Sequence, residues 1–505
     1  MIFENLLLGL KNAMSISSLL SVTIGTALGL FVGAMPGLSA TMAIALLLPI
    51  TFGMNPATGI SMLASLYMGA MYGGSIAAIL IKTPGTPAAA ATVMDGYPLM
   101  QQGKAGKALG VSLVASLIGG VLSSIALLTI APALGNLALQ FGPVELFAVA
   151  VLGITIIGSL SQGSTLLGLL SGAIGLLLAL VGMDPITGTP RFTFGSIYLF
   201  SGVPYTVALI GLFSIPQAIK LIQRDEEEKK TISKFTDRML PTLQELKLMI
   251  PNTIRSSIIG IVTGIIPGTG GDTACWFAYN EAKRFSKDKD KFGKGSIEGL
   301  SAAESANNAV VGGALIPTLT LGIPGSSATA IIMGGLMVHG IMPGPTLMTE
   351  YADVTYTLIW ALMISNIAMF ALGLLFTRLA INVTKISDKV LAPIIIVLCV
   401  IGSFAINNSI FDVYLMFAFG ILGYFMNKIN MPTAPMVVGM ILGQMLDTSL
   451  HQSLLIGQDS WAVFIKNPIS AALLFIALVS ILQSTPLFSI IKRKIKSKKS
   501  DEALG

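Results

Sequence analysis

The chain has 505 residues, 53% hydrophobic and only 11% charged, against about 25% charged in an ordinary soluble domain. With a mean hydropathy of +0.82, this excludes a water-soluble fold and a single-pass anchor on a soluble domain. The 54 glycines and 24 prolines imply membrane helices that are interrupted, because both residues are tolerated in lipid only where neighbouring protein or water satisfies the freed backbone groups.

In chain order, the amino terminus MIFENLLLGLKNAM runs directly into apolar sequence without a small-residue cleavage site. The first membrane segment is therefore expected to target the protein itself. Residues 12–81 carry no Asp, Glu, Lys or Arg, and predict apolar segments near 15–31, 38–52 and 58–81. Asp95, in VMDGYP, reads as a turn residue before a short basic loop. Further apolar segments are expected near 108–130, 137–160, 163–182 and 196–219, followed by a charged stretch over 220–250 that reads as a surface helix pair. The second half predicts segments near 252–267, 305–321, 327–345, 354–375, 388–406, 410–426, 432–446 and 467–490. Basic residues gather in 220–247, in 283–294 and in the tail, which places the linker and the 491–505 tail in the cytoplasm.

The chain echoes itself. Gly33-Ala34-Met35-Pro36-Gly37-Leu38-Ser39 returns 231 residues later as Gly264-Ile265-Ile266-Pro267-Gly268-Thr269-Gly270. Lys82-Thr83-Pro84-Gly85-Thr86-Pro87 returns 240 residues later as Gly322-Ile323-Pro324-Gly325-Ser326-Ser327. Pro removes an intrahelical hydrogen bond and Gly permits a bend or a close approach, so each motif should interrupt an apolar helix. Freed amides suit an anion and freed carbonyls a cation, as in the central site of a secondary transporter. The expected fold is an all-α polytopic integral membrane protein of about 12 crossings, within roughly 10 to 14. Its two related halves, 1–219 and 251–490, carry paired discontinuous or re-entrant helices. Motif order suits either hand of repeat; the inverted form is the expectation.

Candidate site residues cluster on these motifs. Ser39 and Thr41 follow the first break, and Thr269, Asp272 and Thr273 follow the third. Asp272 suits either a helix cap or an ion or substrate site. Lys82 could meet an anionic substrate or snorkel to the interface. Glu304, Asn307 and Asn308 share one helix face, so that ion coordination, with sodium near Asp272 and Asn307, competes with packing as their role. Gly268-Thr269-Gly270-Gly271 lacks the lysine and spacing of a phosphate-binding loop. Cys275 and Cys399 read as packing residues, and His339 and His451 give no metal-ligand spacing. Trp276, Trp360 and Trp461 read as interfacial anchors. No aromatic platform accompanies the basic clusters, which argues against nucleic-acid binding. A channel with Pro-Gly filter segments is the alternative to a transporter. An intramembrane enzyme using Ser39, Ser326 or Asp272 has no histidine base near its nucleophile.

The stretches GAMPGLSATMAIALLLPITFGMNP, GGSIAAILIKTPGTPAAAATVMDGYP, GIIPGTGGDTACWFAYNEAKRFSK and GLSAAESANNAVVGGALIPTLTLGIPGSSATAIIMGGLMVHGIMPGP resemble, in that order, the large membrane subunit of bacterial tripartite tricarboxylate transporters. The family's signature positions match Pro36, Gly37, Ser39, Thr41, Pro84, Gly85, Thr86, Pro87, Pro267, Gly268, Gly270, Asp272, Pro324, Gly325 and Ser326. The resemblance implies cation-coupled uptake of citrate-like or other carboxylates at the bacterial inner membrane, with sodium or a proton as coupling ion. It also implies a small four-helix membrane subunit and a periplasmic solute-binding protein as partners, and no other cofactor.

Overall fold

The structure is a computed structural model that describes residues 2–35, 38–160, 164–184, 187–223, 237–268, 270–383 and 388–484. Pro36, Gly37, Thr269 and the 491–505 tail lie outside the described residues.

The first half runs through α1 (Ile2–Ala13), α2 (Ile16–Gly33), α3 (Ala40–Leu47), α4 (Pro56–Ile81), α5 (Ala90–Gln101), α6 (Ala105–Ala138), α7 (Pro143–Leu160), α8 (Thr165–Ala179) and α9 (Tyr205–Gln223). A two-residue antiparallel pair, β1 (Gly182–Met183) with β2 (Pro190–Arg191), interrupts the otherwise helical order before α9. The second half continues with α10 (Leu243–Ile265), α11 (Gly270–Phe285), α12 (Ile297–Leu321), α13 (Ser327–Val338), α14 (Ala352–Val383), α15 (Asp388–Asn407), α16 (Ile410–Lys428), α17 (Ala434–Ile456), α18 (Val463–Lys466) and α19 (Pro468–Ser484). Among the described residues, eight helices are long and apolar enough to span a membrane, and five shorter helical segments are apolar. The protein is thus an all-α polytopic membrane protein.

Three local readings change. Asp95 is not in a turn: it lies inside α5, fully buried, and its Oδ1 accepts the backbone N–H groups of Gly293, Gly295 and Ser296 at 2.8–2.9 Å. The Asp-Gly-Tyr-Pro string looks like a turn because its non-local partner, the start of α12, is 200 residues away. Helix α10 begins at Leu243, well before the apolar stretch, because Thr242 and Glu245 close a reciprocal capping box there. Helix α9 begins only at Tyr205, since residues before it form the β1–β2 connection and a 3-10 turn at Ile197–Leu199. The Trp360 indole N–H donates to Leu6 O at 3.0 Å and fixes α1 to α14.

Two compact units arise, each drawn from both halves of the chain: Met1–Leu139 with Thr206–Tyr424, and Gln140–Tyr205 with Phe425–Gly505. In the second, α8 and α17 approach closely at Gly175 and Gly439, and Arg191 pairs with Asp184 and, at 2.9 Å, with Asp447.

The first unit contains the echoed motifs, and its helix contacts repeat with them. A Cβ on Gly29 of α2 would fall 2.2 Å from Leu66 O of α4, and one on Gly33 would fall 2.4 Å from Ala70 O. Shifted by the motif offsets, the same contacts recur between α10 and α12: Gly260 against Ala306 O at 2.6 Å and Gly264 against Val310 O at 2.8 Å. The reverse contact repeats as well, Gly73 against Leu30 O and Gly313 against Ile261 O, both at 2.6 Å. Small residues at every fourth position let these backbones touch, which is how helices gain packing energy without a hydrophobic drive.

Candidate functional site

Each of the four motifs separates two helices. Helix α2 stops at Gly33 before α3, α4 stops at Ile81 before α5, α10 stops at Ile265 before α11, and α12 stops at Leu321 before α13. The second and fourth breaks have the same geometry. Lys82 and Gly322 end their helices in the left-handed region, at φ 60° and 69°. Part of the freed backbone is satisfied internally: Gly85 N–H donates to Gly74 O at 3.1 Å, and Gly268 N–H donates to Gly325 O at 3.1 Å, joining the third break to the fourth. Gly325 N–H donates to Thr318 Oγ1 at 3.2 Å.

The helices that follow the breaks pack crosswise. Helix α3 of the first half lies against α13 of the second, while α11 of the second half lies against Pro87–Ala89 and α5 of the first. Four helix starts, at Ala40, Pro87, Gly270 and Ser327, belong to this crossing. Ser39 caps α3 by accepting Met42 N–H at 3.1 Å, and Ser326 caps α13 in a reciprocal box with Thr329. Tyr67 of α4 shares a 3.3 Å hydrogen bond with Ser326.

The positions equivalent to Tyr67 and Ser326 are Asn307 and Thr86, at the 240-residue offset. There the chemistry differs. Asn307 Nδ2 donates to Met71 O at 3.1 Å, but Asn307 Oδ1 and Thr86 Oγ1 are buried oxygens without a hydrogen-bond partner. A Cβ added to Gly271, at the start of α11, would lie 3.6 Å from Asn307 Oδ1 and 3.0 Å from Ala88 Cβ. The first turn of α11, the tip at Thr86–Ala89 and the middle of α12 therefore converge. Asp272 belongs to that turn and lies within electrostatic range of Tyr67 and Cys275. Its carboxylate accepts its own backbone N–H within the first turn of α11.

One turn before Asn307, Glu304 is fully buried among hydroxyls. Ser112 donates to Oε2 at 2.8 Å and Ser116 to the same oxygen at 3.2 Å, while Thr92 donates to Oε1. Ser75 adds a fourth hydroxyl. The carboxylate comes from α12 and all its donors from α4, α5 and α6.

Most of the expected residues meet here. Gly85, Thr86, Glu304, Asn307, Asn308, Pro324 and Gly325 are buried; Thr41, Thr83, Pro84, Pro267, Gly268, Gly270, Asp272, Thr273, Ser326 and Ser327 are half-buried at the breaks. Lys82 is the exception. Its side chain is exposed, with Nζ 5.7 Å from the ring centre of Tyr97. Tyr67 was not legible as a site residue from its own surroundings, although the 240-residue offset from Asn307 leads to it. Thr92, Ser75, Ser112 and Ser116 carried no signal, because isolated hydroxyls are common in apolar helices.

The arrangement offers hydroxyls, amide oxygens, helix starts and one or two carboxylates in a buried setting. That set can exchange water ligands of an ion or organic anion for protein groups; among the described residues, no cluster of three or more His, Cys, Asp or Glu could hold a metal ion. The model of the tripartite tricarboxylate transporter TctA family matches residues 19–438. An uncharacterised 52.8 kDa protein from the TAR-I ttuC' 3' region of Agrobacterium vitis is 36% identical over 480 residues, 95% of either chain. A second uncharacterised Agrobacterium vitis protein, from the TAR-II ttuC' 3' region, is 36% identical over 223 residues, 44% of this chain and 92% of its own. No solved structure matches.

Proposed function

Because the chain belongs to the TctA family of tripartite tricarboxylate transporters, we propose that it is the large membrane subunit of a three-component importer that takes up citrate-like or other carboxylates by cation symport. It is a multi-pass protein of the bacterial inner membrane. A periplasmic solute-binding protein delivers the anion, and a small four-helix subunit completes the membrane complex. The 1–219 and 251–490 halves act as inverted repeats in a fold of about 12 crossings. The 220–250 linker and 491–505 tail face the cytoplasm.

The observation that carries this reading is the crosswise meeting of the four breaks, α3 on α13 and α11 on the Thr86–Ala89 tip. Helix starts at Ala40, Pro87, Gly270 and Ser327 attract the carboxylates of the substrate. The residues Ser39, Thr41, Thr83, Thr86, Thr273, Ser326 and Ser327 supply hydroxyls around it. The unpartnered Asn307 Oδ1 and Thr86 Oγ1 support a sodium site near Asp272 and Asn307, since hard cations take oxygen ligands. Positive charge entering with the anion offsets the cost of carrying carboxylates through a low-dielectric site. Movement of one group of helices against the other then exposes the site inward.

The test is uptake of labelled di- and tricarboxylates into proteoliposomes holding all three components, under imposed sodium or proton gradients. Gradient-dependent, saturable accumulation is expected. Flux that is ohmic and indifferent to both gradients would establish the channel instead. In the same assay Asp272→Asn should alter cation dependence; an unchanged dependence in folded protein leaves Asp272 as a cap of α11.

A further inference from the structure

We propose that Glu304 is a proton-carrying carboxylate, protonated from one side of the membrane and deprotonated to the other once per transport cycle. The inference rests on the transport reading and adds to it a second coupling site, separate from the oxygens at Thr86 and Asn307.

Three observations carry it. The carboxylate is fully buried, and among the described residues it bonds to hydroxyls alone: Thr92, Ser112, Ser116 and Ser75. A hydroxyl both donates and accepts. The ring therefore bonds the ionised carboxylate with every hydroxyl donating, and bonds the neutral acid when a single hydroxyl turns to accept its proton. A buried ion pair lacks this tolerance, because neutralising one member strands the other. The spacing suits a proton: Ser112 Oγ and Ser116 Oγ stand 2.8 and 3.2 Å from Oε2, within hydrogen-bond distance of either form of the carboxyl group.

The position gives the proton leverage. Thr92 sits on the helix that follows the Thr86 tip, and Glu304 sits on the helix that leads to the Gly322–Ser326 tip. Adding the proton removes a charge from the contact between them. Among the described residues, Tyr72 of α4 and Cys275 of α11 lie within electrostatic range of Glu304. The other charged groups on the packed elements are committed elsewhere: Asp95 of α5 to the amides of Gly293, Gly295 and Ser296, Lys107 of α6 to Glu245 of α10, and Arg255 of α10 to Asn252 and the Phe285 ring. Lys247 of α10 is exposed, and Asp272, Glu281, Lys283 and Arg284 of α11 lie outside the hydroxyl ring. In the loading step a hydronium ion gives its proton to Glu304, forming one carboxyl O–H bond and releasing water; the unloading step reverses this, with no electron transferred.

The experiment compares native protein with Glu304→Gln and Glu304→Asp in proteoliposomes with both partners, sodium equal on the two sides, using a trapped pH indicator and labelled citrate. Native vesicles should acidify inside as citrate enters, and an imposed pH gradient should drive accumulation. Glu304→Gln keeps the shape and hydrogen bonds of the neutral acid, so citrate-for-citrate exchange should survive while gradient-driven accumulation falls by about tenfold or more. Glu304→Asp should restore part of the proton movement. Native vesicles that take up citrate without moving protons would overturn the proposal, as would gradient-driven accumulation by Glu304→Gln equal to native. Should Glu304→Gln fail to fold, native citrate uptake without proton movement still overturns the proposal. Absence of any citrate or other carboxylate exchange in native vesicles overturns the transport reading instead.

Discussion

Asn308 and Met68 occupy the same position in the two halves of the chain, 240 residues apart, and they touch: Asn308 Nδ2 donates to Met68 Sδ at 3.4 Å. The contact joins α4 to α12 at matching points of the echoed sequence. The second donor bond of Asn308, to Met369 Sδ at 3.2 Å, also ends on sulfur, and its Oδ1 is buried without a partner. Thioether sulfur is a weak acceptor.

The Asn308 amide is therefore poorly satisfied, and Asn308→Met should raise stability by about 1 kcal/mol or more, because an apolar side chain removes the desolvation cost. Thermal unfolding in detergent measures this. If the amide serves the passing ion or anion, the same variant loses uptake despite the gain in stability. Full uptake with higher stability would reduce Asn308 to a packing residue.

Lys82 holds a left-handed backbone conformation that its counterpart Gly322 adopts without strain. Lys82→Gly should relieve roughly 1 kcal/mol of backbone strain, partly offset by greater freedom of the unfolded chain. Because the side chain is exposed beside Tyr97, uptake should stay within about twofold of native, less than the tenfold that 1.4 kcal/mol of lost binding would bring. A tenfold rise in the half-saturating carboxylate concentration, reproduced by Lys82→Gln, would instead make Lys82 a substrate ligand.

Gly29→Val and Gly260→Val place side chains where a Cβ alone would meet carbonyl oxygen at 2.2 and 2.6 Å. Backbone rather than a movable side chain blocks the space, so each should cost about 3 kcal/mol or more. Folded yield and melting temperature should fall for both. A variant that folds normally would mean that the paired helices slide freely past each other.

Asp95→Ala removes the acceptor of three backbone N–H groups at the entry to α12. With those donors stranded, the loss should be about 3 kcal/mol or more. Hydrogen exchange should rise first at Gly293–Ser296, and Asp95→Asn should recover only part of the protection. Unchanged exchange there would show that the loop holds its shape alone.

Much of this architecture could be read from residues. The Pro-Gly motifs and their offsets gave the four helix breaks, because Pro and Gly act on their own backbone. The start of α10 and the role of Asp95 were hidden by different causes: a capping box inside a charged stretch, and an acceptor whose donors are 200 residues away. Glu304 is marked in the sequence by the helix face it shares with Asn307 and Asn308, but its hydroxyl partners come from three helices of the other half, and no local pattern marks them. The pairing of α3 with α13 and of α11 with the Thr86 tip follows from how the halves cross, which spacing does not encode.

The clasp between Trp360 and Leu6 ties α1 to a helix made some 350 residues later. During biosynthesis, α1 is complete long before α14 exists, and the Thr92, Ser112 and Ser116 hydroxyls are made before the α12 carboxylate that they bind. The early helices must therefore persist as separate, incompletely satisfied spans until the ribosome has delivered most of the chain. A polypeptide stalled before α12 would present those hydroxyls to membrane quality control, so premature termination should yield rapidly degraded fragments rather than a half-sized transporter.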